Sequence, residues 1–317
     1  MVETVIAGDF GGTNLRAALV SDAGEILTRQ QIRTPADLPA QEIVAQVADL
    51  LESVKASDAA APEAACIAAA GLIDAESGTV MVSPNIPTFR NLVLTTPVAE
   101  RIGIPTYIEN DASAAALGEF RFGAGRGARH TLHATLGTGI GGGIVIDGRL
   151  YRGAKGLAGE IGHIVLDPTG PPCPCGSRGC LEALVGGVAF ARRAQRLLDE
   201  GKAPILAEIA ANRAPTAADL SAAAAQGEAA AAAEIQNGGH FLGLGFGGIV
   251  NVLNPDVVTL SGGLLSMGEL LLEPMREAMA SLAYGPATDT PVRTSELAED
   301  AGLLGAAAVA FERAGER

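Results

Sequence analysis

Tryptophan is absent from this 317-residue sequence, and tyrosine and phenylalanine number only three and eight. An apolar interior must therefore be assembled mainly from Ala, Val, Leu and Ile. Basic residues are also few, 22 Lys and Arg against 36 Asp and Glu, for a net charge of −14. Non-specific nucleic-acid binding needs a cationic surface, so this balance argues against that class. Phosphate can still be held by backbone N–H groups and Mg²⁺. No apolar run reaches membrane-spanning length; the longest, Phe241–Leu253, is glycine-rich and carries Asn251. Met1–Ala7 has no basic region before its apolar stretch, so a secretory leader is not expected. Cysteine is scarce, with four residues, three of them between positions 173 and 180. A reducing cytoplasm is the expected setting, where such a cluster holds metal in preference to a disulfide. What the chain has in quantity is glycine, 41 residues, which implies many tight turns and close backbone approaches.

One segment concentrates the chemistry. Glu160-Ile161-Gly162-His163 is followed by Cys173-Pro174-Cys175-Gly176-Ser177-Arg178-Gly179-Cys180-Leu181-Glu182. An imidazole and three thiolates can close a tetrahedral Zn²⁺ site, and a glycine-punctuated loop needs such a staple. His163, Cys173, Cys175 and Cys180 are thus the expected ligands of a structural zinc. Cys173-Pro174-Cys175 is tighter than the usual knuckle spacing, and the competing reading is buried thiols or a disulfide with one spare. Glu160 and Glu182 flank the ligands and are not needed by a four-ligand site, which frees them to face a polar substrate. Cys66, alone in an alanine-rich run, reads as core. His130 and His133 read as structural, and His240 has no partner pattern.

Thr4–Ala7 reads as a buried strand running into Asp9-Phe10-Gly11-Gly12-Thr13-Asn14, with Arg16–Val20 returning and Ile26–Ile32 as a third strand. Gly11 and Gly12 would expose successive backbone N–H groups to an anion, Thr13 adds a hydroxyl, and Asp9 can hold a hydrated Mg²⁺. An ordinary hairpin turn is the plainer alternative. The plan repeats at Thr131–Leu136, Gly137–Gly143 and Ile144–Ile146. Gly137-Thr138-Gly139-Ile140-Gly141-Gly142 matches the dinucleotide fingerprint in letters, but that loop must open a helix and here a strand follows. Gly243–Gly248 matches it too, inside a helix-like segment, and no P-loop spacing occurs. The 137–139 stretch therefore reads as a second phosphate-cradling turn, with Thr138 as side-chain donor.

Ile104–Ile108 reads as a strand ending at Glu109-Asn110-Asp111, and a helix over Ala112–Phe120 starts directly after it. Transfer of phosphate to an alcohol chiefly needs positioning and charge stabilisation, with one carboxylate accepting the hydroxyl proton. Asp111 is the candidate; helix capping by Asn110 or Asp111 is the competing or concurrent role. Asn85, in Ser83-Pro84-Asn85-Ile86-Pro87, offers an amide to a sugar hydroxyl or stabilises its own turn. Further along, Val188–Gln236 is helical and alanine-rich, His240–Leu253 reads as a separate helix, and Val257–Leu260 as a strand turning at Ser261-Gly262-Gly263. Helices are expected at Glu269–Leu282 and Gly302–Arg313. The two strand–turn–strand units suggest two related α/β halves. We place a smaller domain over 1–115 with 301–317, and a larger one over 116–300 carrying the cysteine loop.

The ordered set Asp9–Asn14, Glu109–Asp111, Leu136–Gly143, Glu160–Glu182 and Leu260–Leu264 resembles the ROK family of sugar kinases and sugar-responsive repressors. The resemblance implies an α/β, actin-like and hexokinase-like (ribonuclease H-like) fold of two domains with a central ligand cleft. It implies Asp111 as base on the sugar hydroxyl, and Asn85, Asn110, Asp111, Glu160, His163 and Glu182 as sugar contacts. His163 would bind zinc with one ring nitrogen and a sugar hydroxyl with the other. ATP phosphates and adenosine would lie on Asp9, Gly11, Gly12, Thr13 and Asn14, on Gly137, Thr138 and Gly139, and on Gly262 and Gly263. Repressors of the family carry an additional helix-turn-helix domain; with the first turn at residue 9, an enzyme without nucleic-acid or membrane partners is expected. Asp9 and Asp111 speak against a non-catalytic sugar sensor, which needs neither. The implied reaction is ATP-dependent phosphorylation of a hexose 6-hydroxyl, glucose first, since paired Glu160 and Glu182 suit a pyranose with free hydroxyls near its anomeric end. N-acetylglucosamine, N-acetylmannosamine, mannose and fructose are alternative substrates, and polyphosphate an alternative donor. Family members are commonly homodimers or homotetramers.

Overall fold

The computed structural model describes residues 3–57, 61–84 and 86–316. In chain order the strands are β1 (Thr4–Phe10), β2 (Asn14–Ser21), β3 (Ile26–Arg33), β4 (Ala65–Ala69), β5 (Leu72–Asp74), β6 (Thr79–Val82), β7 (Arg90–Val93), β8 (Thr106–Asn110), β9 (Thr131–Leu136), β10 (Ile140–Ile146), β11 (Arg149–Leu150), β12 (Val257–Ser261) and β13 (Val292–Thr294). The helices are α1 (Ala40–Ala56), α2 (Thr95–Ile102), α3 (Asp111–Phe122), α4 (Leu181–Val185), α5 (Gly187–Asp199), α6 (Pro204–Ala210), α7 (Ala217–Ala225), α8 (Ala229–Leu253), α9 (Glu269–Leu282) and α10 (Ala301–Gly315). They form two compact units, residues 1–133 with 143–159 and 295–317, and residues 134–142 with 160–294. None of the described helices is long and apolar enough to cross a membrane.

The first unit is built on a five-stranded sheet of order β3-β2-β1-β4-β8. β1, β2 and β3 pair antiparallel, while β1, β4 and β8 run parallel. Successive side chains of a strand point to opposite faces, and both faces here are covered. Ile6, Leu15, Leu19, Ile67 and Ile108 pack with Ile43, Val47, Leu51 and Val54 of α1. Val5, Ala7, Val20, Cys66 and Ala68 pack on the other face with Leu303, Ala307 and Phe311 of α10 and Ala114 and Leu117 of α3. Cys66 is fully buried there, as an isolated core cysteine should be. A second five-stranded sheet has the order β11-β10-β9-β12-β13, and β5, β6 and β7 form a small antiparallel sheet.

The helical part of the second unit departs from expectation at one place. Residues 229–253 form a single helix, α8, where a helical stretch ending at Gln236 and a separate helix starting at His240 were expected. The reason is contact with α9. A methyl group at Gly239 would lie 2.2 Å from Leu271 O, and one at Gly243 2.3 Å from Met275 O. The glycines let two helix backbones approach, and that packing outweighs their poor helix propensity. The letter match to a dinucleotide fingerprint at 243–248 is thus a helix-packing pattern.

His133, at the end of the first unit's stretch of β9, is fully buried, and burial lowers its pKa from 6.5 to about 4. The unfolded chain therefore takes up a proton below pH 6.5 that the folded chain refuses until about pH 4, so stability falls as pH falls through this window. Between pH 7 and pH 5 wild type should lose about 2 kcal/mol more stability than His133→Gln. Denaturant unfolding of both proteins at the two pH values tests this; parallel losses would show that His133 is already charged in the folded chain.

Candidate active site and metal centre

In the first unit the strand register itself assembles a site. Asp9 pairs with Ala68 and Ala68 with Glu109; Phe10 pairs with Ala69 and Ala69 with Asn110. The turn after β1 and the corner between β8 and α3 therefore leave the sheet at the same carboxyl edge. In open α/β sheets that edge is where ligands bind. Within the turn, Gly11 N–H bonds Asn14 O at 3.0 Å, and Thr34 Oγ1 donates to Gly11 O at 2.6 Å. Gly12, Thr13 and Asn14 are exposed. The N–H groups of Gly12 and Thr13 have no partner among the described residues, which leaves them available to an anion.

Asp9 is not a bare carboxylate. Arg16, its cross-strand partner, donates to Asp9 Oδ2 from Nε at 3.1 Å and again from Nη2. The same guanidinium donates from Nη1 to Glu299 O at 2.8 Å, at the entry to α10. Gly302, in the first turn of α10, lies against the carboxylate; a methyl group there would sit 2.7 Å from Asp9 Cγ. A helix N-terminus carries partial positive charge and favours such a neighbour. Both Arg16 donors fall on Oδ2, so Oδ1 has no hydrogen-bond donor among the described residues. One oxygen is left for a hydrated cation, and the residues present fit outer-sphere Mg²⁺.

At the other corner, the capping role belongs to Asn110. Its Oδ1 accepts from Ser113 N at 3.0 Å and its Nδ2 donates to Gly71 O at 3.1 Å. The amide is thereby locked in the scaffold. Asp111 opens α3, is exposed, and accepts the N–H of Ala112 at 2.9 Å. Behind them Glu109 is 4% exposed and accepts from Arg152 Nε at 2.7 Å and from Asn110 N at 3.1 Å. Arg152 Nη2 also reaches Glu312 at 3.2 Å. Burial opposes the charge on Arg152, but the two carboxylates outweigh it and hold its pKa above the ordinary value. Asn85 lies outside the described residues.

In the second unit the candidate metal ligands converge. His163 Nδ1, Cys173 Sγ, Cys175 Sγ and Cys180 Sγ all lie within 4.8 Å of one another. Cys173 Sγ is 3.6 Å from His163 Nδ1 and Cys175 Sγ 3.7 Å from Cys180 Sγ. Tetrahedral Zn²⁺ with Zn–S of about 2.3 Å requires ligand atoms about 3.6–3.8 Å apart, so this donor set fits the ion. All four cysteines of the chain are free thiols. The local fold explains the spacing: Gly176 N bonds Cys173 O at 3.0 Å and Cys173 N bonds Ser177 O at 2.9 Å, a tight hairpin that folds Cys175 back. Burial pushes the Cys173 thiol up to about 12, and hydrogen bonding from Ser177 holds Cys175 below its ordinary value. A divalent cation is what lets three thiolates share so small a volume. The other ring nitrogen of His163, Nε2, lies 3.8 Å from Glu160 Oε2.

Two glycine-bearing segments meet in the same unit. Gly137 N bonds Gly139 O at 3.0 Å, closing the turn between β9 and β10. Gly262 follows β12 with φ of 100° and packs on the end of β9, where a methyl group would lie 2.3 Å from Leu136 O. Gly262 and Gly263 are thereby brought beside the 137–139 turn. Glu182 Oε2 accepts from Ile140 N at 3.0 Å, so this carboxylate touches the turn as well as flanking the metal ligands. Sequence reasoning did not find Arg16, Arg152 or Gly302. Only Arg16 had a sequence signal: a tight turn over 11–13 pairs residue 9 with residue 16.

Comparison with known proteins agrees with this organisation. The model of the ROK family matches residues 5–313. A glucokinase from Thermotoga maritima is 38% identical, with 98% of each chain covered. A ROK family glucokinase from Streptomyces griseus, solved with glucose and AMPPNP, superimposes with a TM-score of 0.81 at 35% identity, covering 98% of this chain and 99% of that one. A putative xylose repressor from a Caldicellulosiruptor species is 32% identical over 97% of this chain and 78% of its own length. The α/β architecture is the actin-like, hexokinase-like one expected. Fold, motifs and similarity agree, and the chain belongs to the ROK family.

Proposed function

We propose that this protein is an ATP-dependent sugar kinase that phosphorylates the 6-hydroxyl of glucose. The observation that carries the reading is the shared carboxyl edge in the first unit, which sets an exposed carboxylate, Asp111, on the same rim as the glycine turn 11–14 with its N–H groups unpartnered among the described residues. A sugar sensor needs neither, and the full-length similarity to glucokinases supports the enzyme over the repressor branch.

Asp111 accepts the proton of the 6-hydroxyl as its oxygen attacks the γ-phosphorus of ATP; the bond to the β-phosphate bridging oxygen breaks and ADP leaves. Asn85, Asn110, Asp111, Glu160, His163 and Glu182 are the proposed sugar contacts. The N–H groups of the 11–14 turn, the 137–139 turn with Thr138, and Gly262-Gly263 are the proposed nucleotide contacts. Asp9, through Oδ1, is the residue that would hold hydrated Mg²⁺, whose charge offsets that of the phosphates. His163, Cys173, Cys175 and Cys180 would hold Zn²⁺ as a structural ion that orients His163 and steadies the loop.

The test is ADP release with Mg·ATP over glucose, mannose, fructose, N-acetylglucosamine and N-acetylmannosamine, with polyphosphate as a second donor. Glucose with ATP should give the highest kcat/KM. Preference for an N-acetyl sugar would change the substrate, and sugar binding without any turnover would favour a sensor. Asp111→Asn should keep glucose binding while kcat drops by about 10²–10⁴-fold; near-wild-type turnover would remove Asp111 as the base. Cys175→Ser should lose most of the bound zinc, lower the melting temperature and weaken glucose binding. Unchanged zinc content and affinity would show that the loop stands without metal.

A further inference from the structure

We infer that the metal segment is also the scaffold of the donor-phosphate turn, with Glu182 as the positioning residue that joins them. The inference rests on the kinase reading of Gly137–Gly139 and stays within the second unit. Glu182 follows the ligand Cys180 by two residues, and its Oε2 accepts the N–H of Ile140 at 3.0 Å. A methyl group at Gly139 would lie only 2.1 Å from that oxygen, so Gly139 exists to admit the carboxylate. Beyond Glu182 the segment continues to grip the turn. Gly187 N donates to Gly137 O at 2.9 Å and Val188 N to Thr138 O at 3.2 Å. From the opposite end, Gly162, beside the ligand His163, packs on Ile140, where a methyl group would meet its carbonyl oxygen at 2.2 Å.

Both ends of the segment thus close on residues 137–140. Within it, Leu181 N bonds Ile164 O at 2.9 Å and Leu166 N bonds Gly179 O at 2.9 Å, so the two ends are tied to each other as well as through the ligands. Glu182 is therefore divided. Oε2 is committed to the turn, whereas Oε1 has no partner among the described residues and is open to a sugar hydroxyl. A single carboxylate on a metal-stapled corner then sets the acceptor for one substrate and the backbone that binds the other. Loss of Glu182 should disturb nucleotide binding in the absence of sugar, an effect that a sugar contact alone does not produce.

Calorimetric titration of Mg·ADP without sugar, into zinc-loaded wild type, Glu182→Ala and Glu182→Gln, tests this. Glucose is titrated separately, and exchange of the 137–146 backbone amides is followed by mass spectrometry. Glu182→Ala should weaken Mg·ADP by about tenfold, as expected for a lost charge-assisted hydrogen bond. It should also speed exchange in that segment. Glu182→Gln keeps an acceptor oxygen and should bind Mg·ADP within about twofold of wild type while losing glucose affinity. Gly139→Ala should weaken Mg·ADP similarly and, combined with Glu182→Ala, add little further, since both act on one contact; this pair also serves if Glu182→Ala alone folds poorly. Unchanged Mg·ADP affinity and amide protection in Glu182→Ala would overturn the inference and leave Glu182 a sugar contact only. Failure of wild type to bind Mg·ADP at all would sink the kinase reading itself, before any variant is compared.

Discussion

The parallel pairing of β1, β4 and β8 is the constraint on which the first unit depends. Backbone hydrogen bonds lock Asp9, Ala68 and Glu109 into one row, and Phe10, Ala69 and Asn110 into the next. Everything proposed for phosphoryl transfer in this unit follows from where those strands stop. The pairing is secured on both faces by aliphatic packing, Ile6 and Ile67 under α1 and Val5 and Ala68 under α10. The sheet therefore cannot slip by one residue without exchanging its two apolar faces. Charged anchors then refine the edge: Arg16 restrains Asp9 and Arg152 restrains Glu109, each from a neighbouring segment. Both arginines are partly or largely buried beside their carboxylates, where a guanidinium fork holds geometry better than a flexible ammonium would.

The second unit solves a different problem. Its site segments are loops and short helices. Ile161, Leu181, Leu184 and Val185 anchor them in the interior, and Cys173, Cys180 and Ala183 form a small buried cluster. Convergence of the candidate ligands and backbone hydrogen bonds onto the 137–140 turn add further order. Metal binding energy can supply what a small core cannot. The two units thus position their candidate residues differently, by sheet register in the first and by convergence of candidate ligands in the second.

Much of the site was legible because its residues are consecutive. The 11–14 turn, Glu109–Asp111 and the cysteine cluster are each short motifs whose chemistry depends on local spacing. The ambiguity at Asn110 and Asp111 was legible too, but not its resolution. Either can cap a helix, and only the bond from Ser113 N to Asn110 Oδ1 shows which does. Misreading α8 as two helices had the opposite cause. Glycine weakens an isolated helix, and the compensating contact with α9 comes from residues about thirty positions away.

The sequence by itself determined the motifs, the acidic balance and the alternation that makes the strands, because these depend on neighbours in the chain and on period. It also pointed to His163, Cys173, Cys175 and Cys180 as candidate metal ligands, since three thiols and an imidazole lie within eighteen residues of one another. Only the tertiary structure decided that Arg16 and Gly302 enclose Asp9, that Arg152 backs Glu109, and that Glu182 holds Ile140. Arg16 is adjacent through a hairpin, but Gly302, Arg152 and Ile140 meet their partners across long stretches of sequence. Such contacts follow from how helices and loops dock on a finished sheet, which no local pattern encodes.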